Sequence, residues 1–322
     1  MRSFVQIFQA MSALSGIVVK STGSWYVVHL DTVEYIECRI KGQFRIRGLN
    51  TKNTNPLAVG DRVDVLREAN GDNTISKLHE RRNYIIRRST NLSKQTHIIA
   101  ANIDRAYVMA TLIEPRTSTG FIDRFLVTAE AYSIPASIIF NKRDLLDEEL
   151  CDYVEQLMGL YTSLGYGCHF ISANDEAAVN ELRNEMNNQV SLIAGHSGVG
   201  KSTLINALCP ELSLRTGKLS EAHNKGMHTT TFAEMHPLDN GWIIDTPGIK
   251  EFGIVDLERA ELSHFFPEMR ERFGQCRFNN CLHLNEPGCA IQEAIEKGEI
   301  ALTRYHCYLA IINGDELDKA YE

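Results

Sequence analysis

The chain has 322 residues and a formal net charge of −8, with hydrophobic residues at 43% and charged residues at 23%. That composition excludes collagenous, low-complexity and largely disordered chains, and the length predicts two or three domains. The charge is uneven: residues 1–97 carry 15 basic and 8 acidic side chains, the remainder 18 and 33. A basic front end on an acidic body points one domain at a polyanion.

The opening Met1–Met11 reads as an extension, with Met11 as an alternative start; it lacks the continuous apolar core of a secretory signal. No apolar run approaches the roughly 20 residues that span a bilayer, so a cytoplasmic protein with no membrane partner is expected. Residues 12–80 read as five short strands, Gly16–Lys20, Ser24–Leu30, Glu34–Ile40, Phe44–Arg47 and Asp61–Leu66, punctuated by Gly and Asn. Five such strands predict a small closed barrel, of which the OB-fold is the common nucleic-acid-binding form and an SH3-like barrel the alternative. Trp25, Tyr26 and Phe44 are candidates for stacking bases, or for its core.

Residues 81–97, with Arg81, Arg82, Arg87, Arg88 and Lys94, read as an exposed basic connector. Beyond it the texture changes to apolar strands (Arg105–Ala110, Ala136–Phe140, His169–Ile171, Val190–Ala194, Gly241–Ile244) alternating with helices such as Phe121–Tyr132 and Glu148–Leu164. That alternation predicts a mainly parallel α/β sheet. The tail from about residue 256 reads as helical around a Cys/His-rich loop.

Gly195-His196-Ser197-Gly198-Val199-Gly200-Lys201-Ser202 fits GxxxxGK[ST] between an apolar strand and a helical run beginning Ser202-Thr203. Glycines let successive backbone N–H groups face phosphates, and the helix dipole favours the same charge. Lys201 is expected to reach the β- and γ-phosphates, and Ser202 to offer its hydroxyl to Mg²⁺. Asn141-Lys142-Arg143-Asp144 follows the strand ending at Phe140 and resembles the guanine-reading NKxD of GTPases. A carboxylate at Asp144 accepts from guanine N1–H and N2–H₂, donors adenine lacks in that arrangement, so ATP would leave it unpaired. The resemblance gives Asn141 the bracing of loops and Lys142 the cover of the base. Ser172-Ala173-Asn174 resembles the short motif whose backbone N–H meets guanine O6.

Asp245-Thr-Pro-Gly248 resembles DxxG, whose Asp reaches Mg²⁺ through water and whose Gly N–H senses the γ-phosphate. Gly226–Phe232 occupies the place of a first switch; one of Thr229, Thr230 and Thr231 is expected on Mg²⁺, with Thr230 chosen. The order is permuted: the base-reading motifs precede the phosphate loop, and DTPG comes last. This order predicts a circularly permuted sheet, in which the second switch runs directly into the C-terminal domain. Ile249 stands where Ras-like enzymes place the Gln that orients water. His228 is the in-chain candidate for that role beside the catalytic pair Lys201 and Thr230; His223, His196 or a partner's group are its rivals.

Of eight cysteines, three join a histidine in Cys276-x₄-Cys281-x-His283-x₅-Cys289. Three thiolates and an imidazole complete a closed tetrahedral shell, predicting one structural Zn²⁺. Cys307 and His306 are more distant competitors. Cys38, Cys151, Cys168 and Cys209 have no metal-like partners and are expected to be buried.

These features together resemble the RsgA/YjeQ family of small-subunit-dependent GTPases over nearly the whole chain, from Gly16–Trp25 through the permuted motifs to the knuckle and the tail Gly298–Tyr305. The departures are His196 in the phosphate loop and Met227 where Arg is frequent. The resemblance implies slow GTP hydrolysis stimulated by the small (30S) ribosomal subunit, binding of GTP/GDP and of 16S rRNA, release after hydrolysis, and Mg²⁺ and Zn²⁺ as ions. A monomer is expected. The domains expected are an extension at 1–11, an OB barrel at 12–80, the connector at 81–97, a permuted P-loop GTPase domain at 85–253 and a helical zinc domain at 254–322. The alternatives are a permuted GTPase on the large subunit or another RNA, and a non-catalytic RNA-binding scaffold.

Overall fold

The computed structural model describes residues 14–22, 25–40, 56–67, 71–88, 96–212, 233–246 and 258–314. The N-terminal unit is a five-stranded barrel of β1 (Leu14–Ser21), β2 (Tyr26–Leu30), β3 (Tyr35–Ile40), β4 (Arg62–Arg67) and β5 (Asn73–Leu78). Its strand order is β1-β2-β3-β5-β4, closed by antiparallel pairing of β1 with β4. Alternating residues point inward, and Val18, Tyr26, Val28, Leu30, Val63, Val65 and Ile75 form the core. Among the described residues the fifth strand is Asn73–Leu78, which the sequence pattern does not single out; the expected Phe44–Arg47 strand lies outside the described residues. Tyr26 belongs to that core, whereas Trp25 is 39% exposed and carries the Arg39 guanidinium 3.7 Å from its ring centroid.

Of the expected connector 81–97, residues 89–95 with Lys94 lie outside the described residues, and the described part belongs to a hairpin. β6 (Tyr84–Arg88) pairs with β7 (Thr96–Ala101), and Ile85 and Ile98 are buried. The Arg81 side chain is only 7% exposed, with its guanidinium on the Asp61 carboxylate at 2.6 Å, and Arg82 bonds Asp104 at 2.7 Å. These two cations are spent on carboxylates at the junction between the barrel and the α/β unit, which a count of basic residues does not reveal.

The central unit runs in order through β8 (Arg105–Ala110), α1 (Thr119–Ala131), β9 (Ala136–Phe140), α2 (Glu148–Ser163), β10 (Gly167–Phe170), α3 (Glu176–Met186), β11 (Val190–Gly195), α4 (Lys201–Leu208), β12 (Glu234–Leu238) and β13 (Gly241–Asp245). Strands β10, β9, β8, β11 and β13 are parallel neighbours, and antiparallel β12 closes that side. β12 also meets β1 at Lys20↔Glu234, so barrel and α/β unit share one continuous sheet. The buried apolar strands expected from the sequence are covered by helices on both faces. Helix α1 is buried nearly all round, because one side covers the sheet and Val127 enters the core of the C-terminal unit.

The C-terminal unit holds α5 (Pro267–Arg270), α6 (Ala290–Glu296) and α7 (Leu302–Asn313), with the Cys/His-rich loop between α5 and α6. Phe266, Met269, Ile291, Ile300, Tyr308 and Ile312 form its core.

Candidate nucleotide site and metal cluster

Every parallel strand delivers its C-terminal end to one edge of the sheet, where ligands bind in open α/β folds. Register places Gly195 beside Met109, Ala110 beside Phe140, and Asp245 beside Ile193. The phosphate loop, the NKRD loop and the SAN loop therefore meet although they are distant in sequence.

Asn141 fixes this meeting. It is 3% exposed; its Nδ2 donates to the Val199 carbonyl at 2.9 Å, and its Oδ1 accepts from the Ala173 N–H at 2.9 Å. The Ala173 amide is thus engaged by Asn141, and the Asn174 amide donates to the Ser172 hydroxyl at 3.2 Å. The close approach explains Gly200: a Cβ there would lie 2.5 Å from Asn141 Nδ2, and its φ of +100° is left-handed. Gly195 is similarly constrained, since a Cβ would lie 2.6 Å from the Met109 carbonyl oxygen.

Lys201 opens α4 and its side chain folds back into its own loop, donating to the carbonyls of Gly195 at 2.7 Å and His196 at 2.8 Å. Burial lowers its pKa against the pull of Asp245. Burial likewise raises the Asp245 carboxyl, opposed by His236 and Lys201 and reinforced by Glu234. Thr246, beside it, is buried and donates to the Ile193 carbonyl at 2.9 Å. Ser202 and Thr203 follow Lys201 on α4. On the other side Arg143, exposed Asp144, Ser172, Asn174 and Asp175 line an open pocket of about 410 Å³. Lys142 is left-handed at φ +67° and its Nζ donates to the Glu114 carbonyl. His228, Thr229, Thr230, Thr231, Gly248 and Ile249 lie outside the described residues.

One further wall has no counterpart among the sequence motifs. Glu114–Phe121, which leads into α1, touches both nucleotide motifs: Glu114 receives Lys142, and Pro115 Cδ would lie 3.2 Å from a Cβ on Gly198. The Phe121 ring lies on His196 with centroids 3.8 Å apart. This wall works through a carbonyl, a proline ring and a stacked phenyl, so it carries no signature residue; the Pro115 punctuation before the Ser118 cap is its only trace.

In the C-terminal unit the donor atoms of Cys276, Cys281, His283 and Cys289 all lie within 4.8 Å of one another. His283 Nδ1 is 3.6 Å from Cys276 Sγ and 3.4 Å from Cys289 Sγ. Ligands about 2.0–2.3 Å from a tetrahedral ion sit about 3.4–3.8 Å apart, so this group can hold a metal ion. The shell around it is fixed: Tyr305 Oη and Gln292 Nε2 each donate to the His283 carbonyl at 2.8 Å, and Tyr308 Oη to the Leu282 carbonyl at 2.8 Å. Burial, with neighbouring thiols, pushes Cys281 up to about 12 without an ion. Cys307 is fully buried on α7, outside the cluster. Cys38 and Cys209 are buried as expected, whereas Cys151 and Cys168 are only partly so.

A family model for the RsgA GTPase matches residues 78–255, and one for the RsgA N-terminal domain matches residues 15–75. A small ribosomal subunit biogenesis GTPase RsgA from Flavobacterium johnsoniae is 54% identical over 307 residues, covering 94% of each chain. A protein of the same name from Bacteroides fragilis is 50% identical over 307 residues, covering 95% of this chain and 98% of its own. Among solved structures, YjeQ from Thermotoga maritima matches with a TM-score of 0.76 at 35% identity, covering 94% of this chain and 98% of its own. YloQ, a circularly permuted GTPase, matches with a TM-score of 0.73 at 28% identity over the whole of both chains.

Proposed function

The chain belongs to the RsgA GTPase family, and from that we propose that it hydrolyses GTP as a late assembly factor of the small ribosomal subunit. The observation that carries this reading is the convergence of residues 141–144, 172–174 and 195–202 around Asn141. The relatives' shared name supports the small subunit and lends nothing to a large-subunit factor or an inert scaffold.

In this reading Asp144 and Arg143 receive guanine in the open pocket, with Lys142 over the base and Ser172 and Ala173 beside it. The loop from Gly195 through Val199 to Ser202 and Thr203 wraps the phosphates. Lys201 exchanges its two loop carbonyls for phosphate oxygens, which restores a full partner to a buried ammonium. Ser202, Thr230 and Asp245 would hold Mg²⁺, which neutralises phosphate charge when bound. The half-buried Asp245 carboxyl, within electrostatic reach of Lys201, suits a cation ligand. Gly248 senses the γ-phosphate. His228 orients the attacking water that apolar Ile249 cannot, with a ribosomal group as the alternative.

The knuckle Cys276, Cys281, His283 and Cys289 holds one Zn²⁺ in a structural role, since its donor set is closed. The barrel at 12–80 grips 16S rRNA, residues 85–253 form the GTPase unit and 254–322 the zinc unit. No helix among the described residues is long and apolar enough to cross a membrane; in this reading the protein is a monomer acting on ribosomal subunits in the cytoplasm. Cosedimentation with separated ribosomal subunits, in the presence of a non-hydrolysable GTP analogue, tests the assignment. Binding to the small subunit alone is expected, and equal binding to both or neither defeats it.

A further inference from the structure

The permuted order gives the nucleotide site one covalent route to the zinc unit, the segment after Asp245. A second, buried route runs through α1. Arg304 on α7 is wholly buried and bonds Glu268 at 2.7 Å within its own unit and Asp123 of α1 at 2.9 Å. Tyr161 of α2 donates to the same Asp123 oxygen at 2.9 Å, and the Phe266 ring lies 4.8 Å from the guanidinium. Burial opposes the Arg304 charge, but Asp123 and Glu268 outweigh it and raise its pKa. Removing one member of such a buried network leaves the others uncompensated, which is strongly destabilising, so any shift of α7 relative to α1 has to keep Arg304 between Asp123 and Glu268. Asp123 lies two residues from Phe121, whose ring sits on His196 of the phosphate loop. Between them, Ile122, His196, Ser197 and Thr303, the neighbour of Arg304, line one cavity of about 660 Å³.

We propose that Arg304 and Phe121 are positioning residues for the phosphate loop: the zinc unit grips α1 through Arg304, and α1 seats the loop through Phe121. Neither residue needs to touch the nucleotide. The inference rests on the nucleotide-site reading above. Coupling is reciprocal, so nucleotide binding must also tighten the grip of α7 on α1.

The test is the dissociation constant of fluorescent mant-GDP for the full-length, zinc-loaded protein, compared with Phe121→Leu, Arg304→Met and the double variant. Each single change is expected to weaken binding by about tenfold, with zinc content unchanged, and the double by little more than either alone. An Arg304→Met protein that keeps its zinc and binds mant-GDP like the parent overturns the proposal. So does a double variant with the full product of the single effects. Should Arg304→Met fail to fold, hydrogen exchange in the unmutated protein decides: mant-GDP is expected to slow amide exchange in residues 302–313. Exchange there indifferent to the nucleotide overturns the relay. A parent protein that binds no mant-GDP defeats instead the nucleotide-site reading on which the relay rests.

Discussion

Asn141 and Val199 lie 58 positions apart, yet the Asn141 amide donates to the Val199 carbonyl at 2.9 Å inside a buried site. The same amide's oxygen accepts from Ala173. One side chain thereby sets the spacing between the loop that reads the base and the loop that wraps the phosphates.

Asn141→Asp keeps the acceptor for Ala173 but turns an oxygen toward the Val199 carbonyl. Leaving a buried group unsatisfied costs about 1–3 kcal/mol, so a lower melting temperature and nucleotide affinity reduced about tenfold or more are expected. Calorimetry and mant-GDP titration measure the two.

Asp144→Asn changes base choice rather than phosphate grip. The amide cannot accept from both guanine donors, but it can donate to the C2 carbonyl of xanthine. GTP affinity should fall about 100-fold or more while XTP gains; unchanged GTP affinity would refute the base-pocket assignment.

The metal cluster gives a pH prediction. Without an ion, burial first and then neighbouring thiols hold Cys281 protonated up to about 12. Zinc must therefore displace thiol protons, and its affinity should rise with pH and fall on acidification. A chromophoric chelator should strip zinc faster at pH 5.5 than at pH 7.5, and Cys289→Ser should abolish stoichiometric zinc. Loss of zinc independent of pH would contradict the thiolate shell.

The barrel has its own titration. Burial works to raise the Asp64 carboxyl, but donors His79 at 2.8 Å and Ser15 at 2.8 Å hold it below the ordinary carboxylate value. A folded pKa below the unfolded one means the unfolded chain binds the proton more readily. This stabilisation is complete above the ordinary carboxylate pKa and lost as pH falls through the lowered folded one. Asp64→Asn should flatten that acid limb of denaturant midpoints for the barrel, with little change at pH 7 in its slope against pH.

The sequence revealed what depends on side-chain type and spacing. The Gly and Lys of the phosphate loop, the four donors of the knuckle and the apolar strands β8, β9, β11 and β13 each carry a local signal. It hid what depends on neighbours. Strand β5 has one fully buried apolar residue, Ile75, so its alternation is faint. Strand β12 contains Pro237, which argues against a strand until β13 and β1 are seen on either side. Arg81 counts as a free cation until Asp61 is seen beneath it. Glu114–Phe121 walls the site with backbone and ring, a role that no residue type announces.

A guanine-nucleotide site at the C-terminal edge of the sheet should hydrolyse GTP in answer to one ribosomal subunit. Its most direct test is GTP turnover by the purified protein alone, with small subunits and with large subunits. Slow turnover alone, about tenfold or greater acceleration by small subunits, and no acceleration by large ones are expected. Equal turnover in all three conditions, or acceleration by large subunits, would contradict it.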